Sequence, residues 1–315
     1  MKLRISRTHV PLLGGLAVFL LLYAAASIYF PNFFSWRVFE DLLTDNAYLG
    51  LAAIGMTFVI LSGGIDLSVG AVVGFTTVLI GMLVGRHVAA WVALPLALMV
   101  GTAFGGLMGW VIAEFELPPF LVTLAGMFLA RGMAYVVSRK SVEISSPFYD
   151  AVSSRPYVTA VVFVATLLVA IYVLHFRAFG RAVYAIGGSE QSALLMGLPV
   201  ARTKVAIYAV SGFCAALAGV VHTIYAPSGD PNAAIGLELD AIAAVVIGGT
   251  LLTGGVGYVA GTFVGVLILG IIQTVINFQG TLNSWWTRIA VGVLLMVFIL
   301  LQKVVQVRAP RAASG

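Results

Sequence analysis

Ten apolar stretches, each of roughly 20 residues, follow one another through nearly the whole chain, with short polar connections between them. They lie near 10–30, 46–62, 67–84, 91–112, 118–137, 157–176, 204–225, 238–253, 256–278 and 284–302. No water is available in hydrocarbon to satisfy peptide N–H and C=O groups, so such a pattern confines the chain to helices that close their hydrogen bonds internally. The expected fold is all-α, a polytopic membrane helix bundle with about ten transmembrane helices, some broken or re-entrant, forming one transmembrane domain over residues 1–315. Composition agrees: 61% of residues are hydrophobic, 9% are charged and the mean hydropathy is +1.08, which leaves no room for a soluble domain of useful size.

The formal charge of +5 does not point to nucleic acid, because the basic residues are few and sit at the ends of segments. They read as topology signals. Ten crossings place Lys2, Arg4, Arg7, Arg177, Arg181, Arg202, Lys204, Lys303, Arg308 and Arg311 on one side, against Arg37, Arg86, Arg139, Lys140 and Arg155 on the other. That asymmetry puts both termini in the cytoplasm, with Arg139 and Lys140 on the unfavourable side. Tyr29, Phe33, Trp36, Trp91, Trp285 and Trp286 fall where interfacial aromatics belong. The basic start, the apolar stretch from Val10 to Tyr23 and the small residues from Ala24 to Ser27 resemble a cleavable leader; the stretch is long for a signal core, and an uncleaved first span is expected. The single cysteine, Cys214, reads as a small core hydrophobe.

Polar and helix-breaking residues interrupt the apolar pattern at "ILSGGIDLSVG", residues 60–70. Gly63 and Gly64 each cost a helix about 1 kcal/mol relative to Ala. Asp66 and Ser68, in contrast, are types that bond free amides at a helix start. The stretch, with Ser62 at its head, reads as stop, turn, restart. Asp66 has three readings: a cap for the next helix, a polar element of a translocation path, or a coupling-ion site. "VIGGTLLTGGVGYVAG", from Val246, overlays on "VILSGGIDLSVGAVVG", from Val59, as an internal repeat of the kind found in duplicated transporter halves, with Thr253 opposite Asp66.

The longest polar connection, 177–204, contains "GGSEQSALLMGLP". Ser189 suits an N-cap, Glu190 the first turn, Gly197 the C′ position, and Pro199 ends the run, so the spacing predicts a helix of about two turns. Its apolar residues Ala193, Leu194, Leu195 and Met196 suit a groove on a soluble partner; the plainer alternative is a helix that only orders a loop. Chemistry is sparse. His9, His87, His175 and His222 are scattered, no metal-ligand spacing or nucleophile with a base occurs, and no phosphate-binding Gly-Lys-Ser/Thr motif is present. Arg131 is the basic residue deepest within a span, suited to a carboxylate or to free carbonyls.

"GMTFVILSGGIDLSVG", "FGRAVYAIGGSEQSALLMG", "ELDAIAAVVIGGTLLTGGVG" and "TLAGMFLARG" resemble the hallmark stretches of inner-membrane permeases of ribose, xylose and galactoside ABC importers. "TDNAYLGLAAIGMTFVILSGG", "SPFYDAVSS" and "INFQGTLNSWWTRIAVGVLL" look closer to a permease of the bacterial galactofuranose importer. The resemblance implies a bacterial inner-membrane protein that forms the sugar path with a second, identical or similar, permease subunit. It also implies ATP-binding subunits in the cytoplasm and a periplasmic sugar-binding protein, with no cofactor on this chain because ATP is used by the partner. Carried over by motif, 177–204 would hold the coupling helix, with Arg181, Ser189, Glu190, Leu194 and Gly197 at the ATPase. Ser62, Gly63, Gly64 and Asp66 would mark a helix break on the path. In "APSGDPNAAIGLELD", Asp230, Glu238 and Asp240 would face the binding protein. The chain itself would be no enzyme. The rival reading is an ion-coupled secondary sugar carrier with Asp66 as ion ligand.

Overall fold

A computed structural model describes residues 10–155, 157–280 and 285–308, with side chains from Gly14 to Gln302. Lys2, Arg4, Arg7, His9 and Arg311 lie outside the described residues, as do the side chains of Lys303 and Arg308, so the cytoplasmic placement of the termini stays an expectation. The elements, in chain order, are α1 (Val10–Tyr29), α2 (Trp36–Asp45), α3 (Ala47–Leu61), α4 (Val69–Gly85), α5 (Ala90–Glu114), α6 (Pro119–Val137), β1 (Val142–Glu143), α7 (Pro147–Ser153) and α8 (Tyr157–Phe176). There follow α9 (Ala178–Gly188), α10 (Glu190–Leu195), α11 (Val200–Tyr225), β2 (Ser228–Gly229), α12 (Leu237–Ile247), α13 (Val259–Gln279) and α14 (Trp285–Arg308). The chain is an all-α polytopic membrane bundle, and each of the ten apolar stretches coincides with a helix.

Coincidence with a helix is not the same as crossing. Among the described residues, six helices are long and apolar enough to cross a membrane; α2 and α3, bent by 55°, make a seventh as a pair. Gly14–Tyr29 and Val69–Gly85 are apolar but shorter. The largest departure from the expected ten is the eighth stretch: α12 has 11 residues, about 16 Å of helix, roughly half a hydrocarbon core. α2 escapes a hydropathy reading because Arg37, Glu40 and Asp41 dilute it, yet it is amphipathic, buries Val38 and Leu42, and is capped by Ser35, whose hydroxyl accepts the Val38 N–H at 3.3 Å. Phe33, expected at an interface, is instead fully buried against Tyr23, Phe30 and Phe278. Trp36, Trp91 and Trp285 are exposed as expected.

One end of the bundle is tied by non-helical pieces. β1 pairs antiparallel with β2, Val142 opposite Gly229, and Tyr149 of α7 is buried with its hydroxyl 3.0 Å from that of Thr223. α9 and α10 lie at the other end of α11, whose 26 residues make it about 39 Å long.

α11 is the central helix, packed against α3, α4 and α5. Its contact with α5 is backbone to backbone: a Cβ on Gly105 would sit 3.0 Å from Gly212 Cα, and one on Gly212 would strike the Gly101 carbonyl. Lipid tails compete equally for apolar side chains, so close approach of this kind, with its dense van der Waals contact, is what holds helices together. Cys214 is buried beside Gly55, as expected of a core hydrophobe. Gly212→Val is expected to push α5 and α11 apart and to destabilise the fold by about 1–3 kcal/mol, read as a lower melting temperature of the purified protein in detergent; an unchanged midpoint would contradict this packing.

Candidate functional site

α3 stops at Leu61 because the next residues favour a left-handed turn. Gly63 has φ +83°, its N–H donates to the Ile60 carbonyl at 2.9 Å, and the Gly64 N–H donates to Val59 at 3.0 Å. This pairing closes a helix C-terminus around a glycine. The Ser62 hydroxyl donates to the Val59 carbonyl at 2.7 Å. The chain then passes against Tyr208 and Ser211 of α11 and restarts as α4. Asp66 is 1% exposed. Its Oδ1 accepts the Ser68 N–H at 2.9 Å and the Ser68 hydroxyl at 2.7 Å, and its Oδ2 accepts the Ser211 hydroxyl of α11 at 2.7 Å. Both carboxylate oxygens are thereby engaged, in an Asx turn ahead of α4 and a tie to α11; the N-cap of α4 is Ser68, and no side chain bonds the first-turn amides of that helix, so Asp66 is not the cap that its residue type suggests.

α12 ends by the same device. Gly249 has φ +93°, its N–H donates to Val246 at 2.9 Å and the Thr250 N–H to Val245 at 3.2 Å. Aligned on these turns, Leu61 corresponds to Ile247 and Gly63 to Gly249, one position away from the sequence overlay. The second break, 248–258, is also four residues longer than the first, 62–68 (11 − 7). The overlay's pairing of Thr253 with Asp66 is corrected accordingly: Thr253 is an exposed turn residue, whereas Asp66 is buried. The two breaks meet. Gly255 N–H donates to the Leu61 carbonyl at 2.9 Å, and the hydroxyls of Thr57 and Thr262 lie 2.8 Å apart.

α9 closes over this junction. Gly187 lies directly on the Leu61 carbonyl, and a Cβ there would also come within 2.5 Å of the Gly255 nitrogen. Tyr184 donates its hydroxyl to the Gly257 carbonyl at 2.8 Å; burial, aided by Tyr258, pushes its phenol up to about 12. Gly187, Tyr184 and Ser211 were not singled out from sequence, where a glycine, a tyrosine and a serine in such company carry no distinguishing signal.

α10 follows at once. Ser189 is its N-cap and accepts the Ser192 N–H at 3.2 Å; Gly197, φ +75°, sits at C′. The helix spans six residues, a little less than the expected two turns. Glu190 is paired with Lys204 at 2.6 Å, while Arg181 is exposed on α9. Leu194, Leu195 and Met196 project outward, Leu195 at 84% exposure, beside a groove of about 600 Å³ that Leu117, Pro118 and Gln191 help to wall.

The acidic residues of the 226–240 segment divide. Asp230 stays in the loop, accepting the Asn232 N–H at 2.8 Å. Glu238 and Asp240 lie half-buried in the first turn of α12, Glu238 against Gly70 of α4 and Asp240 beside the charge of Arg288. Arg131 bonds free carbonyls, one of its two expected roles: it donates to Pro231 at 2.6 Å and Ala233 at 2.9 Å. Asp66→Ala is expected to leave one amide and two hydroxyls without their acceptor, a loss of about 1–3 kcal/mol. Ser211→Ala should lose less. Thermal unfolding of the two purified variants checks the order, and equal midpoints would contradict it.

Residues 38–300 match the family described as the branched-chain amino acid transport system permease component. Named relatives include the inner membrane ABC transporter permease protein YjfF of Escherichia coli, 49% identical over 94% of this chain and 93% of that protein. The fructose import permease protein FruG of Bifidobacterium longum is 38% identical over 96% and 93%, and the ribose import permease protein RbsC of Escherichia coli 35% over 91% and 92%. No solved structure matches at a significant level. The chain belongs to this permease family and, within it, to the permeases of sugar ABC importers.

Proposed function

We propose that this chain is one of two permease subunits of an ATP-driven importer of a monosaccharide, galactofuranose, and that it carries the sugar without chemical change. The observation that carries the reading is the continuity from α10 to the paired breaks: an exposed apolar tip, Leu194 to Met196, stands one short helix away from Gly187, which rests on both breaks. An exposed apolar cluster beside a groove is a surface for a soluble partner. We assign it to the ATP-binding subunit, with Arg181, Ser189, Glu190, Leu194 and Gly197 shaping or flanking the contact, and we place α10 and both termini in the cytoplasm. The periplasmic binding protein then seats at the opposite end, where β1, β2 and Asp230 lie, Glu238 and Asp240 being drawn into the bundle. The galactofuranose assignment rests on the resemblance of the 44–64, 146–154 and 276–295 stretches to that importer's permease.

In this mechanism, closure of the ATP-binding subunits moves α10, α9 transmits the movement through Gly187, and the breaks at 62–68 and 248–258 shift together because they are hydrogen-bonded to each other. A secondary carrier would require a titratable or ion-binding group open to the path. Asp66 has both oxygens occupied and is closed off from solvent.

Leu195→Asp changes an exposed side chain and is expected to leave membrane insertion intact while abolishing co-purification of the ATP-binding subunit; normal co-purification would remove α10 from the docking surface. Reconstitution with the ATP-binding subunit, the second permease and the binding protein should give galactofuranose-stimulated ATP hydrolysis. Uptake by this chain alone, collapsed by a protonophore, would overturn the reading.

A further inference from the structure

Residues 226–236 leave α11 at the end tied by β1 and β2, and instead of crossing as helix they run down the face of α4. Gly229 packs on Thr77, the Thr77 hydroxyl bonds the Asp230 amide at 3.2 Å, Ala233 lies over Gly74 and Ala234 over Gly70. From Gly81, which meets Gly229, to Gly70 is 11 helical residues, about 16 Å of descent. Only there does α12 begin. Non-helical backbone at such depth is not tolerated against lipid and must be covered by protein or water. On the side facing α4 and α6 it is covered, by Thr77 and by the Arg131 guanidinium. On its other side it walls a cavity of about 380 Å³ between α12, α13 and α14, within the size range of small-molecule sites.

The cavity lining is unusual for a bundle this apolar. Tyr48, Asn232, Asp240, Gln273, Thr287 and Arg288 all contribute. Among the described residues, the Gln273 amide and the Asp240 carboxylate have no hydrogen-bond partner. Arg288 stacks on Trp285 at 5.6 Å and leans toward Gly236, so its charge faces that of Asp240 across the space. An acid and a base that offset each other, two carboxamides, hydroxyls and an aromatic edge supply donors and acceptors without net charge. That is the chemistry of a neutral polyhydroxylated ligand. Lipid would leave these groups unsatisfied, and an anion or cation would meet one wrong charge.

We propose that this cavity is a transit site in which the sugar lodges at the outer half of the permease, held by Asn232, Asp240, Gln273 and Arg288. The inference rests on the sugar-permease reading and adds to it a place where the substrate touches this chain. Movement of the breaks reaches the site directly, because α12 joins the cavity at Leu237 and Asp240 to the second break at Gly248.

The test uses the complete importer in membrane vesicles. The only cysteine of the chain is buried, so labelling read on this chain alone, separated from the other subunits after reaction, reports the introduced thiol. Gln273→Cys is exposed to a charged, membrane-impermeant methanethiosulfonate, with Leu168→Cys on the outer face of α8 as the lipid-facing control, and each reaction is run with and without whichever of galactofuranose, ribose or fructose the wild-type importer takes up. The thiol at 273 is expected to react faster than that at 168 and to be protected by the transported sugar. Gln273→Ala is expected to raise the KM of uptake about five- to tenfold, the effect of one lost hydrogen bond to a hydroxyl, while Leu168→Ala leaves it unchanged. A thiol at 273 that reacts no faster than the control, or that sugar does not protect, overturns the transit site. Failure of the wild-type importer to take up any sugar overturns the permease reading itself.

Discussion

A hydrogen bond from the Gly255 amide to the Leu61 carbonyl joins two helices that both stop inside the bundle. An interrupted helix leaves as many as four carbonyls without partners at its C-terminal end, and hydrocarbon offers none. The glycine turns at Gly63 and Gly249 close two of these at each break. The last of them at the first break, on Leu61, is satisfied by Gly255 of the facing break; within the breaks themselves the Ile65 carbonyl accepts the Thr123 hydroxyl of α6 and the Gly257 carbonyl that of Tyr184 of α9. Neither break is stable in lipid by itself. The pair therefore behaves as one element, and whatever displaces one displaces the other.

The same difficulty recurs in the half of the bundle where β1 and β2 lie, with a different solution. Segment 226–236 has no facing turn to pair with, so side chains and a two-residue ladder do the work: Arg131 takes two carbonyls, Thr77 takes both backbone groups of Asp230, and β1 pairs with β2. A guanidinium suits this place because it presents several donors in a fixed plane and has no acceptor to leave unsatisfied. Glycines at 70 and 74 make the approach possible, since any Cβ would strike the Ala234 carbonyl or the Arg131 side chain.

Hydropathy made the helices legible, along with the stop at Gly63, the restart after Ser68 and the capped turn from Ser189 to Gly197, because each is written in local residue types with local consequences. Arg131 was conspicuous for the same reason, as a charge in an apolar run. What stayed hidden depends on contacts between distant residues. The eighth apolar stretch reads as a full span until Gly248 and Gly249 are seen to end α12, and nothing local tells that the preceding loop descends along α4. The internal repeat was visible but its register was not: Gly-rich sequence aligns almost equally well in neighbouring frames, and only the positive φ values of Gly63 and Gly249 fix which residues correspond. Glu238 and Asp240 look like loop acids in sequence, yet they occupy the first turn of a half-helix whose amide ends favour negative charge.

The arrangement also bears on how energy enters the bundle. A carrier that couples to ions places a titratable group where it changes partners during the cycle. The buried carboxylate at the first break does the opposite, holding α4 to α11 through three fixed hydrogen bonds. One layer further out, α9 meets α3 and the breaks through the backbone of Gly187 and Gly188, through the Tyr184 hydroxyl and through Phe179 stacked on Phe58. Close backbone contact of that kind couples α9 to the breaks, and the hydrogen bond between the breaks keeps the two in register. α10 adjoins α9, α9 touches both helix interruptions, and α12 spans the roughly 16 Å from the second of them to the polar cavity at its far end.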